Sequence, residues 1–235
     1  RGDVLALRFL PPFTYDPARH FHLLGTDAFG RDLFVRMMLA ARVSLVVGFA
    51  GALLAGLVGI GIGAGAAWLG GATDRFAMAV GDALLAIPRL VLLLVCASLW
   101  PPGALMVIVV LTATGWMGVA RLVRADVLGV RARDYVEAAR ALGVHPRRVL
   151  WRHVLPNALG SATAAITLGV GGAILLESGL SFLGLGIQPP EPSWGNMIAD
   201  GRQAIVTAPW IALAPGLALI ATVVACTLVG DEMRS

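Results

Sequence analysis

DYVEAARALGVHPRRVLWRHVLP, Asp134 to Pro156, is the one long polar interruption between strongly apolar segments, and its reading decides the fold. Its first part is written as a short surface helix. Asp134 can cap the N-terminus, and Glu137, three residues on, can reach back to complete a capping box. Gly143 supplies the stop. Tyr135, Ala138, Ala139 and Leu142 recur at three-and-four spacing, which places them on one face with small residues in the middle where a partner could approach closely. A second helical turn is expected from Pro146, a residue suited to a first helical position, carrying Arg147, Arg148 and Arg152 towards Leu155 and Pro156.

Outward from this stretch the chain is apolar. Hydrophobic residues make up 58% of 235, which places the chain among polytopic all-α membrane proteins, a helical bundle without an independent soluble domain. All 18 basic residues are arginines. Without lysine a phosphate-gripping GxxxxGK[ST] loop is impossible, so the chain carries no P-loop ATPase of its own. The arginines are clustered, which argues against nucleic-acid binding. Cys96 and Cys226 lie in apolar runs, where a thiol acts as a small hydrophobe.

Arg121, Arg124, Arg131, Arg133, Arg140, Arg147, Arg148 and Arg152 face only Asp126, Asp134 and Glu137 across 121–156, and the positive-inside rule puts that loop in the cytoplasm. Alternation then places Gly70 to Arg75 inside, with Trp100 to Gly103 and the N-terminal segment outside.

Residues 1–42 read as an extracytoplasmic segment, in which His22 to Arg42 has the character of an amphipathic helix at the membrane interface. His20 and His22 lack an acidic or thiol companion in sequence and are read as surface residues, not metal ligands. The apolar membrane region covers 43–230. Its first span is Val43 to Trp68, where Gly59 with Gly63 and Gly61 with Gly65 give small-xxx-small spacing. That spacing serves a seam against a partner or internal packing. Asp74, Arg75, Asp82 and Arg89 follow, with Pro88 expected to kink the helix before Trp100. Asp82 is a candidate for the gate or translocation path, or a structural group near the inner helix ends. Ala104 to Ala120 and Asn157 to Leu176 are the next spans.

The region 177–203 is dense in glycine and proline and reads as a hairpin packed on protein, because lipid-exposed irregular backbone is not viable. Glu177 and Gln188 are gate candidates there. Glu177 can contact a substrate amine or gating partner, or hold the hairpin by accepting backbone amides. Ala204 to Gly230 is the last of five visible spans.

Three separated motifs carry a resemblance. Glu137-Ala138-Ala139, Gly143 and Leu155-Pro156 are similar to the EAA loop of ABC-importer permease subunits, with His153 standing where an aliphatic residue is usual. Gly25-Thr26-Asp27 with Gly30-Arg31-Asp32 and the run Gly179 to Gly186 with Gln188-Pro189-Pro190 resemble the dipeptide, oligopeptide and nickel branch of that family. The resemblance implies the type I importer permease fold, with a sixth span preceding these residues and a short cytoplasmic tail following them.

It also implies partners: a second, homologous permease, two ATPase subunits that use ATP and Mg, and an extracytoplasmic solute-binding protein, in a bacterial or archaeal cytoplasmic membrane. No cofactor would be bound by this chain. Asp134, Tyr135, Glu137, Ala138, Ala139, Leu142, Gly143, Leu155 and Pro156 would couple to an ATPase, and no residue is assigned a catalytic role. The implied cargo is peptide, with nickel chelates or glutathione as alternatives. A proton-coupled secondary transporter using Asp82 or Glu177 is the competing class. An intramembrane enzyme has no HExxH or GxSxG motif to support it.

Overall fold

The computed structural model describes residues 7–232. Among the described residues four helices are long and apolar enough to cross a membrane: α1 (Leu33–Leu69), α4 (Ala104–Arg131), α8 (Gly160–Phe182) and α10 (Trp210–Glu232). A fifth crossing is available if α2 (Gly71–Leu85) and α3 (Arg89–Ser98) form one broken span. They bend by 89° at the break. The break contains Pro88, which lacks an amide hydrogen and disfavours helical backbone in the residue before it. The expected kink at Pro88 is therefore present, and the five expected spans are reached when the broken pair is counted as one.

Two boundaries differ from expectation. No separate helix spans His22 to Arg42: the helix starts at Leu33 and runs on without a break through Leu69. At about 1.5 Å per residue α1 is roughly 55 Å long, well beyond the roughly 30 Å of hydrocarbon. Likewise α4 continues past Ala120 to Arg131, so the first third of the basic loop is a helix extending the span. Smaller shifts occur at α8, which reaches Phe182, and α10, which begins at Trp210 directly after Pro209.

The chain divides into two compact units. One comprises the described residues up to Phe49 with Ala97–Ile108 and Gly171–Ala225. Its N-terminal part is a small hairpin, β1 (Thr14–Tyr15) antiparallel to β2 (Phe21–His22), followed by a tightly hydrogen-bonded loop. The motif GTDxxGRD is the core of that loop. Thr26 is fully buried; its hydroxyl donates to the Leu7 carbonyl at 2.5 Å and accepts the Leu10 amide at 2.9 Å. Asp27 accepts the amides of Phe29 and Arg31 at 2.8 and 3.0 Å, and pairs with the Arg31 and Arg36 guanidinia at 2.7 and 2.5 Å. Gly25, at φ 77°, is bounded by the Leu10 carbonyl, which a Cβ would strike. Asp32 accepts the Val35 amide at 3.0 Å and so caps α1, which is why helix begins only after the motif.

His22 corrects the surface reading. It is buried, with Nδ1 2.6 Å from the Asp32 carboxylate, while Asp16 holds His20 at 3.0 Å.

The second unit comprises Ala50–Cys96, Val109–Val170 and the residues from Cys226 on. Within it α1 lies so close to α4 that a Cβ at Gly59 would sit 2.7 Å from the Trp116 carbonyl, and one at Gly63 would strike that of Ala120. This register of the glycine stripe serves internal packing. Gly61 and Gly65 instead have no such neighbour within 4 Å. Charges join α2 to α4: Arg124 grips Asp74 through two hydrogen bonds of 2.5 and 2.7 Å, and Arg121 pairs with Asp82. Asp82 is thus half-exposed and paired with an arginine 39 residues away.

Candidate functional site

The EAA segment folds as α5, Asp134–Ala141, and a helical run after it. The start corrects one expectation. Arg133 occupies the capping position without a side-chain hydrogen bond, Asp134 is the first helical residue, and no capping box forms. Asp134 and Glu137 instead place two carboxylates in the first turn, where the positive end of the helix dipole favours them, and Arg140 lies in the last turn.

The stop is as read. Gly143 has φ 76°, its amide donates to the Arg140 carbonyl at 2.9 Å, and the Val144 amide reaches back to Ala139 at 3.2 Å. That pair of bonds is a Schellman closure, which needs a left-handed residue at this position.

The helix has two faces, and they divide the expected docking residues. Val136 is fully buried in one cluster with Ala64 and Ala67 of α1, Val123, Val127 and Val130 of α4, and Val149, Val154, Leu155 and Ala158, and Ala139 is also buried. Leu155, expected among the coupling residues, therefore lies in the core, and Ala139, expected on the docking face, is buried. A helical turn is 3.6 residues, so the pair 136 and 139 points one way while 135, 138 and 142 point another. Tyr135, Glu137, Ala138, Leu142 and Pro156 are exposed, Leu142 by 84%.

The run following α5 begins at Pro146 as expected: α6 (Pro146–Val149), a wider π turn over Leu150–Val154, and α7 (Leu155–Ala158). The His145 ring accepts the Arg147 amide at 3.3 Å and caps it. Pro156 cannot donate an amide, and the Leu155 amide bonds the Leu150 carbonyl, five residues back. His153 is partly exposed, and the aliphatic demand of the fold falls on Val154 and Leu155 beside it. Its carbonyl accepts from Asn157 at 2.8 Å and Tyr135 at 3.5 Å.

Sequence reasoning missed what ties α5 to the first span. The guanidinia of Arg131 and Arg140 lie 5.6 and 5.0 Å from the Trp68 ring. Arg131 also donates to the Ala67 and Trp68 carbonyls at 3.0 and 3.3 Å, satisfying the C-terminal end of α1. A tryptophan one residue before a helix-ending Leu-Gly-Gly was the available signal.

In the other unit Glu177 is fully buried among serines. Ser181 donates to it at 2.7 Å, and Ser178, Ser44 and Ser193 also hydrogen-bond to it. Ser181 accepts the Ile187 amide at 2.9 Å, and Ser44 accepts that of Trp194 at 3.2 Å. Glu177 thus holds the hairpin through hydroxyls, where backbone amides were expected. The hairpin closes on α9 (Trp194–Gly201), capped by a reciprocal Ser193–Asn196 box, with Asn196 also donating to the Ile187 and Glu191 carbonyls at 3.2 and 2.9 Å. Gln188 is partly exposed and donates to the Gly184 carbonyl at 2.6 Å.

A family model described as the binding-protein-dependent transport system inner membrane component matches residues 57–233. The chain belongs to that family. It is 39% identical to the oligopeptide transport system permease protein OppC of Bacillus subtilis, over 93% of this chain and 72% of that protein. The OppC of Haemophilus influenzae is 36% identical over 95% and 75% of the two chains.

Among solved structures, an inward-facing form of the MetNI methionine ABC transporter superposes with a TM-score of 0.68 at 20% identity, covering 86% of this chain and 95% of that one. An amino acid ABC transporter gives 0.61 at 18%, covering 85% and 91%. The fold is that of type I ABC-importer permeases. This chain is the multi-pass permease component of such an importer in the cytoplasmic membrane, a transport subunit that works with ATPase and substrate-binding partners.

Proposed function

We propose that the importer carries short peptides inward, and that α5 is the element through which ATP-driven movement reaches the spans. The peptide reading rests on relatives named for oligopeptide transport that match more than nine-tenths of this chain. The coupling reading rests on one observation: α5 is fixed to α1 and α4 through Val136, with Ala139 also buried, while Tyr135, Ala138 and Leu142 stay exposed. A helix held on one face and bare on the other transmits force to whatever holds its back.

The bare face fits a groove on an ATPase subunit at the cytoplasmic side. Two such subunits bind ATP and Mg, and this chain binds no cofactor of its own. Closure of the ATPase pair draws the inner ends of α1 and α4 with α5, and the spans alternate between outward and inward access. A second, homologous permease completes the pathway, with Gly61 and Gly65 of α1 a close-approach strip suited to it. A proton-coupled transporter gives no account of the spaced EAA pattern.

The test of cargo is ATP-dependent accumulation of a labelled tripeptide in proteoliposomes holding both permeases, the ATPases and the cognate binding protein. Accumulation that requires ATP and the binding protein supports the reading. Accumulation driven by a proton gradient without ATP overturns it.

A further inference from the structure

Two abutting cavities, each of about 240 Å³, lie at the ends of α4 and α8 that meet the EAA loop, and Ser161 lines both. One is polar in its key groups: Asp126, Arg133, Asn157 and Ser161 line it, with small neighbours Ala125 and Gly129. The other is apolar, walled by Leu122, Ala164, Ala165 and Leu168. Each is a little below the roughly 300–1,000 Å³ of drug-sized ligand sites, and Ser161 is the residue they share.

The charges there are disposed unlike those around them. On α4, Arg121 is paired with Asp82, Arg124 with Asp74, and Arg131 is spent on the end of α1. Asp126 takes only the Ser161 hydroxyl among the described contacts, which leaves most of the four acceptor positions of a carboxylate unused. Arg133 lines the same cavity. A carboxylate with one hydroxyl partner, in a cavity that a cation also lines and next to an apolar recess, matches a solute with an ammonium, a carboxylate and small side chains.

We propose that these cavities form a transit subsite for zwitterionic short peptides, with Asp126 receiving the α-ammonium group, Arg133 the carboxylate, and the apolar recess a side chain. The assignment rests on the peptide reading above and deepens it. It also places cargo against the coupling element: Arg133 precedes α5 directly, and Asn157 and Ala158 end the run that follows it. Movement of α5 therefore reshapes the subsite.

A phosphatidylethanolamine headgroup is zwitterionic too, so the test uses the complete importer in nanodiscs of phosphatidylglycerol alone. In a Cys96→Ser, Cys226→Ser background, Ala165→Cys is labelled with a water-soluble maleimide, and peptide import by the same complex is measured in parallel. L-alanyl-L-alanine should slow labelling about tenfold more than its N-acetyl form, the worth of one charge-assisted hydrogen bond. Asp126→Asn should erase that difference and Asp126→Glu should keep it. Arg133→Gln, at an exposed position, should erase the preference for L-alanyl-L-alanine over its amide.

Equal slowing by free and acetylated peptide, protection that persists in both neutralised variants, or protection by phosphatidylethanolamine and not by peptide overturns the assignment while import continues. An importer that passes no peptide at all overturns the peptide reading and the subsite with it.

Discussion

The Arg140 guanidinium of α5 lies 5.0 Å from the Trp68 ring near the end of α1, so the coupling helix and the first visible span share a contact as well as a core. Cation–π contacts are worth about 0.5–2 kcal/mol. Trp68→Ala removes the ring from beneath both Arg140 and Arg131. Transport should fall severalfold while the ATPases remain bound and active, and Trp68→Phe should restore most of it. Equal loss of transport and ATPase binding would place the defect in folding, not transmission.

Gly143 makes a prediction of a different kind. At φ 76° with no atom within 4 Å of an added Cβ, substitution meets strain without a clash. Gly143→Ala should cost the roughly 1–2 kcal/mol of a left-handed L-residue, and Gly143→Val more because of its β-branch. Both variants should insert in the membrane, with transport falling in that order. Normal transport by the valine variant would remove the stop from the coupling role.

Much of this loop was legible in the sequence. Gly143 as the stop, Pro146 as the restart and Pro88 as the break are local backbone chemistry, which one residue type can announce. The division of α5 into two faces was not. Ala139 sits three residues from Val136 and four from Tyr135, so helical spacing alone allows either face, and only the packing of α5, with Val136 set among the valines of α4 and the alanines of α1, decides it. The ion pairs Asp74–Arg124 and Asp82–Arg121 join residues 50 and 39 apart in sequence, and Glu177 gathers Ser44 and Ser193 from distant segments. No periodicity encodes such pairings. The GTDxxGRD motif could be matched as a pattern, but its reason, a buried aspartate organising a loop, needed the fold.

Glu177 is predicted to hold the hairpin together. Glu177→Ala leaves four buried serine hydroxyls without their shared acceptor, and each orphaned group costs about 1–3 kcal/mol. Hydrogen exchange at the Ile187 and Trp194 amides, bonded to two of those serines, should quicken by more than tenfold. Glu177→Gln, which keeps an acceptor, should lie between. Unchanged protection in the alanine variant would show that the hairpin stands without the carboxylate.

Asp27 gives the loop before α1 its pH dependence. Burial pushes its carboxyl up, but the Arg31 and Phe29 amides and the Arg31 and Arg36 guanidinia outweigh this and hold it below the usual carboxylate range. A depressed value means that its stabilisation is in full force above the unfolded value of about 3.9 and is lost as pH falls through the folded one. Protease resistance of this segment should be flat from neutrality down to about pH 5 and drop in stronger acid. Asp27→Asn should flatten that acid limb and lower stability at neutral pH, because Arg31 and the less exposed Arg36 lose their carboxylate.

The most direct measurement is co-purification of the ATPases with the full-length permease and its variants. Ala138→Arg puts a large charge on the exposed face of α5, whereas Ala139→Arg puts one at a buried position. The account predicts that Ala138→Arg inserts and folds like the parent but loses the ATPases, while Ala139→Arg fails earlier, in folding. Retention of the ATPases and of transport by a correctly folded Ala138→Arg permease would contradict the assignment of this face as the coupling surface.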